Sequence, residues 1–185
     1  MNLAGIMSED FADSTDGLCL SLWFNGCDIR CKGCHNKQYW DIKNEVDNDQ
    51  IVFHIIEDLE EALVKGYSKS LSILGGEPLS PDNRGDCYDI LSRVRKALPT
   101  IKIRLWTGRT EEQLLEESKT DPRIACIMQY VDEMIVGPFI EELKDLSLPL
   151  RGSSNQKILK KFSDYRVDDD GKLFYIEKQN RRIIC

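Results

Sequence analysis

No apolar stretch in this sequence is long enough to cross a membrane as a helix. The opening residues, MNLAGIMSEDFADSTDG, have an acidic middle and no basic start, so no secretory leader is expected and the chain is assigned to the cytoplasm. Positive charge is in short supply too. Twenty-five Lys and Arg stand against 32 Asp and Glu, and a formal charge of −7 weighs against a nucleic-acid surface, which needs clustered cations. There is no internal repeat and no low-complexity segment. An even cysteine set is lacking as well: seven cysteines, three of them close together, do not make a disulfide framework and suit a reducing compartment. What remains is ordinary for one globular domain of 185 residues, with 41% hydrophobic and 31% charged residues, long enough to bury a core.

The chain is organised around Asn25 to Asn36, NGCDIRCKGCHN, which carries Cys27, Cys31 and Cys34 with gaps of three and two residues. Thiolates at such spacing bind iron–sulfur clusters or zinc. A closed structural zinc site takes four protein ligands, and a 4Fe–4S cube also has four irons to ligate. Here the next cysteine is Cys87, more than fifty residues on, so three cysteines leave one iron open. An open position is how a metal site holds substrate. Zinc held by the three cysteines and His35 is an alternative, although ligands on adjacent residues are sterically awkward. A ferredoxin would supply its fourth cysteine nearby. A non-catalytic binding module stabilised by zinc or a cluster is the reading from a different class. Cys19, Cys87 and Cys126 sit among apolar neighbours and read as core fillers; Cys185, at the terminus, is given no role.

Leu18 to Phe24 is an almost unbroken apolar run, as in a strand covered on both faces, and it leads straight into the cysteine loop. Apolar positions at helical spacing follow from Gln50 to Lys65, then a short strand Leu71–Leu74 ending at Gly75-Gly76. A second helix spans Gly85 to Leu98, stopped by Pro99. Ile101, Ile103 and Leu105 alternate with Lys102, Arg104 and Trp106 as a half-buried strand ending at Thr107-Gly108. Thr110 and Gln113 form a capping-box pattern at the head of a helix from Glu111 to about Lys119. Asp121-Pro122 breaks it, Ile124 to Tyr130 reads as a short helical turn, and Asp132 to Val136 makes a fourth strand. This order implies right-handed parallel βα units. Eight such units need about 250 residues, so an incomplete β/α barrel of the TIM type is expected, with active residues at the strands' C-terminal ends. Tyr165–Val167 and Leu173–Ile176 could form a hairpin around Asp168–Gly171, within an extension from about 161 to 185 packed on the barrel edge. His54 reads as an ordinary surface histidine.

The residues at the strand ends carry the chemistry. Gly75 and Gly76, without Cβ atoms, allow close backbone approach, and Glu77 offers a carboxylate to a ligand ammonium; a plain turn ended by Pro78 would suit GGEP equally. The CX3CX2C spacing resembles that of the radical S-adenosylmethionine (SAM) enzymes. Two further stretches, GGEPL at Gly75–Leu79 and VGPFIEELKDLSLPLRGSSNQKI at Val136–Ile158, resemble one branch of them, the anaerobic ribonucleoside-triphosphate reductase activating proteins. The similarity covers about Gly17 to Lys160. It implies a single radical SAM domain over 1–185, a 4Fe–4S cluster on Cys27, Cys31 and Cys34, and an open iron that chelates SAM. It also implies SAM contacts at Gly75, Gly76, Glu77 and Thr107, adenine contacts at Gly33, Cys34 and His35, and roles for Ser153, Ser154 and Asn155 at the SAM head or the radical's exit. Most radical SAM enzymes have an aromatic where Gly33 stands, but this branch shares the glycine. Val136 departs from the acidic residue common in related activators.

The implied function is activation of a glycyl radical enzyme, the anaerobic ribonucleotide reductase. SAM is cleaved reductively to a 5′-deoxyadenosyl radical that takes hydrogen from a glycine of the partner. A flavodoxin- or ferredoxin-like donor supplies the electron. The runner-up, a pyruvate formate-lyase activating enzyme, belongs to a family that is usually longer and lacks the RGSSNQ run.

Overall fold

In the computed structural model, residues 1–43 and 45–176 are described, so Cys185 and the end of the extension lie outside the described residues. Strand β1 (Leu3–Asp10) pairs antiparallel with β2 (Cys19–Phe24). Helix α1 (Asn48–Val64) leads to β3 (Ser70–Gly75), α2 (Arg84–Ala97) to β4 (Ile103–Thr107), and α3 (Glu111–Thr120) with α4 (Pro122–Tyr130) to β5 (Glu133–Val136). Strands β2 to β5 are parallel, and β6 (Lys157–Lys160) closes the order β1-β2-β3-β4-β5-β6 antiparallel to β5. The result is a mixed α/β fold on a six-stranded, mostly parallel sheet, an arrangement compatible with a partial barrel.

The four parallel strands stand where the apolar runs place them, whereas both antiparallel edges were not expected. Strand β1 has no clean alternation and leaves Ile6 and Met7 exposed, so its pairing with β2, not burial, makes it a strand. Helix α4 is also longer than the turn expected from Ile124. Asp121 both ends α3 and caps α4, its side chain accepting the Arg123 N–H at 3.1 Å, and Pro122 fits the first helical position, where no N–H is needed. The Thr110–Gln113 capping box forms. Strands β7 (Tyr165–Val167) and β8 (Leu173–Tyr175) make the expected hairpin as a separate sheet, held against α4 by the buried Tyr165 hydroxyl, which donates to Val131 O at 2.9 Å.

Alternation along the strands sorts the two faces. Leu20, Leu22, Phe24, Leu71, Ile73, Ile103, Leu105, Met134 and Val136 join the core under the helices. The opposite face carries Ser21, Ser70, Ser72, Arg104 and Glu133, all buried. Arg104, expected on the open side of a half-buried strand, is fully covered: it donates to Glu133 at 2.8 Å, to Ser70 at 3.1 Å, and to Ser14 of the β1–β2 connection at 3.2 Å. That connection fills the floor of the inner face, with Ser72 donating to Asp13 O at 2.7 Å. Polar residues can line this face because each finds a partner.

Asp10 and Asp13 meet there. Burial, reinforced by the neighbouring Asp10 carboxylate, pushes the Asp13 carboxyl up to about 7. Burial works against the Asp10 charge too, but bonds from Ser21 and from the Ala12 N–H hold it below the usual range. Because the folded pKa of Asp13 lies above the unfolded value of 3.8, the folded state holds the extra proton and stability falls as pH rises from about 4 to 7. Asp13→Asn keeps a hydrogen bond to Asp10 but cannot ionise. It is expected to raise the urea midpoint at about pH 8 and leave it nearly unchanged at about pH 4. An equal shift at both pH values would remove the Asp13 proton from the account.

Candidate cofactor site

The cysteine loop is tied at its neck before any ligand is considered. Beyond β2, Asn25 N donates to Asn2 O at 2.7 Å and its side-chain amide to Leu3 O at 2.7 Å, which fixes the exit direction. Gly26 N and Cys27 N then donate to Tyr39 O and Trp40 O at 2.9 and 3.0 Å, so residues 27–40 leave and return at one point. Within the loop Cys34 N donates to Cys31 O at 3.1 Å. Gly33 has φ +74°, and a Cβ there would come within 2.8 Å of the Glu141 carboxyl carbon. The glycine before Cys34 is therefore favoured by backbone shape, while the exposed Glu141 side chain can move aside.

The second loop crosses the first backbone against backbone. Gly76 N donates to Phe24 O at 2.7 Å and Glu77 N to Gly26 O at 2.8 Å. Side chains on Gly75 (φ +109°) and Gly76 would press into the backbones of Phe24 and Gly26 respectively. The pair of glycines thus serves the contact with the cysteine loop itself, a closer approach than the expected one to a ligand. Asn83, buried at the head of α2, locks the crossing by donating to Asn25 O at 2.8 Å and Glu77 O at 3.0 Å.

Glu77 is 1% exposed, and its carboxylate is held by three hydrogen bonds and one ion pair. It accepts from Leu79 N at 2.9 Å, Thr107 Oγ1 at 2.8 Å and Gly108 N at 2.8 Å, with the Arg109 guanidinium 3.5 Å away. Burial pushes its carboxyl above the ordinary range against the pull of Arg109 and these donors. Arg109 in turn meets Asp28 at 2.8 Å and Glu117 at 2.8 Å. Burial disfavours its charge, but the three carboxylates more than offset this and hold its pKa above the usual value.

Cys27, Cys31 and Cys34 line one cavity of about 570 Å³ with Gly33, His35, Gly75, Gly76, Glu77 and Thr107. The structure so brings nine of the sequence-derived positions together. It does not bring Ser153 and Asn155 to the wall. Ser153 is buried behind it, its hydroxyl accepting from Ile140 N at 3.2 Å, and Asn155 donates to Pro138 O at 2.8 Å. Their neighbours Gly152 and Gln156 line the cavity instead. Sequence reading passed over Arg109 and Asn83. Arg109 directly follows the Thr107-Gly108 strand end, a signal that was available; Asn83 offers none.

Three cysteines lining one cavity are donors of the kind an iron–sulfur cluster takes. Among the described residues no three His, Cys, Asp or Glu side chains converge to hold a single metal ion. Burial pushes the Cys27 and Cys31 thiols up, more than nearby backbone N–H groups pull them down, so iron uptake must release their protons.

Residues 14–159 match the family described as a 4Fe-4S single cluster domain. The chain is also similar to proteins named anaerobic ribonucleoside-triphosphate reductase-activating protein. That of Pasteurella multocida (strain Pm70) is 33% identical over 166 residues, covering 89% of this chain and all of the relative. That of Escherichia coli (strain K12) is 36% identical over 142 residues, 75% of this chain and 85% of the relative. That of Enterobacteria phage T4 is 30% identical over 158 residues, 85% and 93%.

Anaerobic reconstitution is expected to load about four irons and four sulfides per chain. Cys27→Ala, Cys31→Ala and Cys34→Ala should each lose the cluster, while Cys87→Ala, which sits in the core, should keep it. Tight stoichiometric zinc with no iron-dependent absorbance is the result that would overturn the cluster.

Proposed function

Since this chain belongs to the family of anaerobic ribonucleoside-triphosphate reductase-activating proteins, we propose that it installs a glycyl radical on an anaerobic ribonucleotide reductase at the expense of SAM. One observation carries the reading: three cysteines at CX3CX2C spacing share a cavity with the Gly75–Glu77 loop that crosses over them. The open sheet of four parallel strands with antiparallel edges is read as the incomplete barrel of the radical SAM enzymes. Cys27, Cys31 and Cys34 are the ligands of the cluster. When bound, the cluster supplies an open iron for the amino-acid head of SAM and the electron that releases methionine and a 5′-deoxyadenosyl radical.

The chain's own residues bind and orient. Glu77 holds fixed negative charge at the strand ends beside which the SAM ammonium can settle, and its three protein hydrogen bonds keep the carboxylate from turning. Gly33 and His35 face the same cavity and are assigned to the adenosine side. Trp23, Trp106, Phe139 and Leu150 supply apolar wall, and exclusion of water protects a reactive species from side reactions. The RGSSNQ run contributes to that wall through Arg151, Gly152 and Gln156, and Gln156 braces it by donating to Gly137 O at 3.0 Å and accepting from Gly152 N at 2.8 Å. Ser153 and Asn155 remain in the assigned site as supports of the cavity's rim. A one-electron donor of flavodoxin or ferredoxin type and a cytoplasmic setting complete the reading; no helix among the described residues is long and apolar enough to cross a membrane.

Dithionite-reduced protein with SAM and an anaerobic ribonucleotide reductase is expected to give an EPR doublet on the reductase glycine. Deuterium placed on that glycine should appear in 5′-deoxyadenosine. Without the partner, 5′-deoxyadenosine should form only slowly, because no hydrogen donor is positioned. A silent reductase beside a responsive pyruvate formate-lyase would move the chain to the other activating family. Consumption of a small molecule, with neither protein responding, would end the activator reading.

A further inference from the structure

Arg109 lies where the two halves of the site meet, and its surroundings are unusual for a surface-loop arginine. It is 5% exposed and faces carboxylates from three separate segments. Two nitrogens meet Asp28, in the cysteine loop, at 3.3 and 2.8 Å. Nε meets Glu117 of α3 at 2.8 Å, and Nη1 stands 3.5 Å from Glu77. The backbone beside it is fixed as well: Arg109 N donates to Thr107 Oγ1 at 3.1 Å, and Arg109 O accepts from Gly137 N at 2.8 Å. Gly108 lies directly against the cysteine loop, since a Cβ there would come within 2.6 Å of Ile29 Cδ1.

We infer that Arg109 is a positioning residue whose guanidinium clamps the cysteine loop, through Asp28, onto the Glu77 turn and so holds the two halves of the cofactor site in register. Asp28 sits next to Cys27, and its side chain is 42% exposed, so burial alone does not hold it. The planar fork is needed because a lysine presents one compact charge and cannot address Asp28, Glu117 and Glu77 from fixed directions. Glu117 is itself anchored by Arg84, at 2.6 Å, whose Nε donates to Leu79 O at 3.0 Å just beyond Glu77. The clamp therefore stands on a braced footing, not on one mobile side chain. The ligand's identity rests on the functional reading above; the clamp does not.

Hydrogen exchange separates a clamp from a mere charge. The Arg109 cation, 3.5 Å from Glu77, repels a ligand ammonium yet also helps keep the buried Glu77 ionised, so a change in SAM affinity does not by itself identify the clamp, whereas loosening of the cysteine loop in the metal-free protein does. In the reconstituted protein, Arg109→Met is expected to keep its iron and to weaken SAM about ten-fold or more, the size of a lost charge-assisted contact. Arg109→Lys should fall between it and the parent. Asp28→Asn, a milder change at a half-exposed position, should weaken SAM several-fold, about three- to ten-fold, and the double variant should bind no worse than Arg109→Met alone, because both remove one interaction. In the metal-free protein, hydrogen exchange at residues 26–34 should quicken in Arg109→Met and Asp28→Asn alike, while the core strands stay protected. Tighter SAM binding in Arg109→Met, multiplying effects in the double variant, or unchanged exchange at 26–34 in Asp28→Asn would each overturn the clamp. If the parent protein takes up no cluster, the functional reading falls, and the exchange measurement still decides the clamp.

Discussion

A carboxylate taken out of water must be given donors, and Glu77 is given them by two different parts of the chain. Leu79 N comes from its own turn, Thr107 Oγ1 and Gly108 N from the end of β4, and Arg109 adds the charge. An unpaired carboxylate so deeply buried would neutralise or unfold its surroundings. Satisfying it obliges the ends of β3 and β4 to lie side by side at one height. The Gly75-Gly76 crossing then brings the end of β2 to the same level, since any side chain at either glycine would strike the Phe24 and Gly26 backbones. The cysteine loop hangs from that junction. Its cavity is a consequence of how three strand ends are pinned together.

The opposite end of the sheet solves a related problem with different residues. Inner-face positions of β2 to β5 carry Ser21, Ser70, Ser72, Arg104 and Glu133, which no apolar core could accept. The β1–β2 connection folds under them and accepts hydrogen bonds from Ser72 at Asp13 O and from Arg104 at Ser14 Oγ. Arg104 and Glu133 pair within this floor, and each has a further partner, Asp16 for Arg104 and Lys102 for Glu133, so the buried charges are held as a network. Helices cover only the other, apolar face. This asymmetry leaves the inner face free to end in a cavity at the strands' C-terminal ends, the usual location of active sites in β/α folds.

Much of this was legible in the sequence, and the boundary of legibility has physical causes. Of the parallel strands, β2 could be read from its almost unbroken apolar run and β4 from its alternation. The cysteine triplet and Gly-Gly-Glu could be read because spacing and side-chain type carry their chemistry without reference to the fold. Strand β1 could not, since pairing with β2 alone defines it. Arg104 reads as the polar side of an amphipathic strand, and only the fold of residues 11–18 beneath it turns that side inward. Ser153 and Asn155 stand as ligand contacts in sequence because the RGSSNQ run that holds them resembles the activating proteins. In the structure they are spent on Ile140 and Pro138, and the Asn155 Oδ1 is buried without a hydrogen-bond partner among the described residues. A polar loop residue and a polar wall support are the same letters in sequence; only the direction of the side chain separates them.

The cavity is divided, and the division matters for radical chemistry. The cysteine loop and Glu77 bring thiols and a carboxylate to the cavity, Trp23, Trp106, Phe139, Leu148 and Leu150 bring an apolar wall, and Asp13, Lys144, Arg151 and Gln156 add further polar groups. Trp106 is held in that wall by its indole N–H, which donates to Leu150 O at 2.8 Å, so the ring also pins the loop that follows β5. A SAM head needs the polar side, where a low-dielectric surrounding strengthens its contacts with fixed charge. A carbon radical formed beside it needs the opposite: no water, and no mobile group able to give up hydrogen before the partner's glycine arrives. Rigid aromatic and aliphatic walls meet that demand by packing, whereas a cavity polar throughout would stay wet. Trp106 faces the cavity near the end of β4, and Arg109, two residues beyond that strand, braces Glu77 at the end of β3. The short segment from Trp106 to Arg109 therefore joins the binding half of the site to the shielding half, and a shift in its backbone disturbs both together.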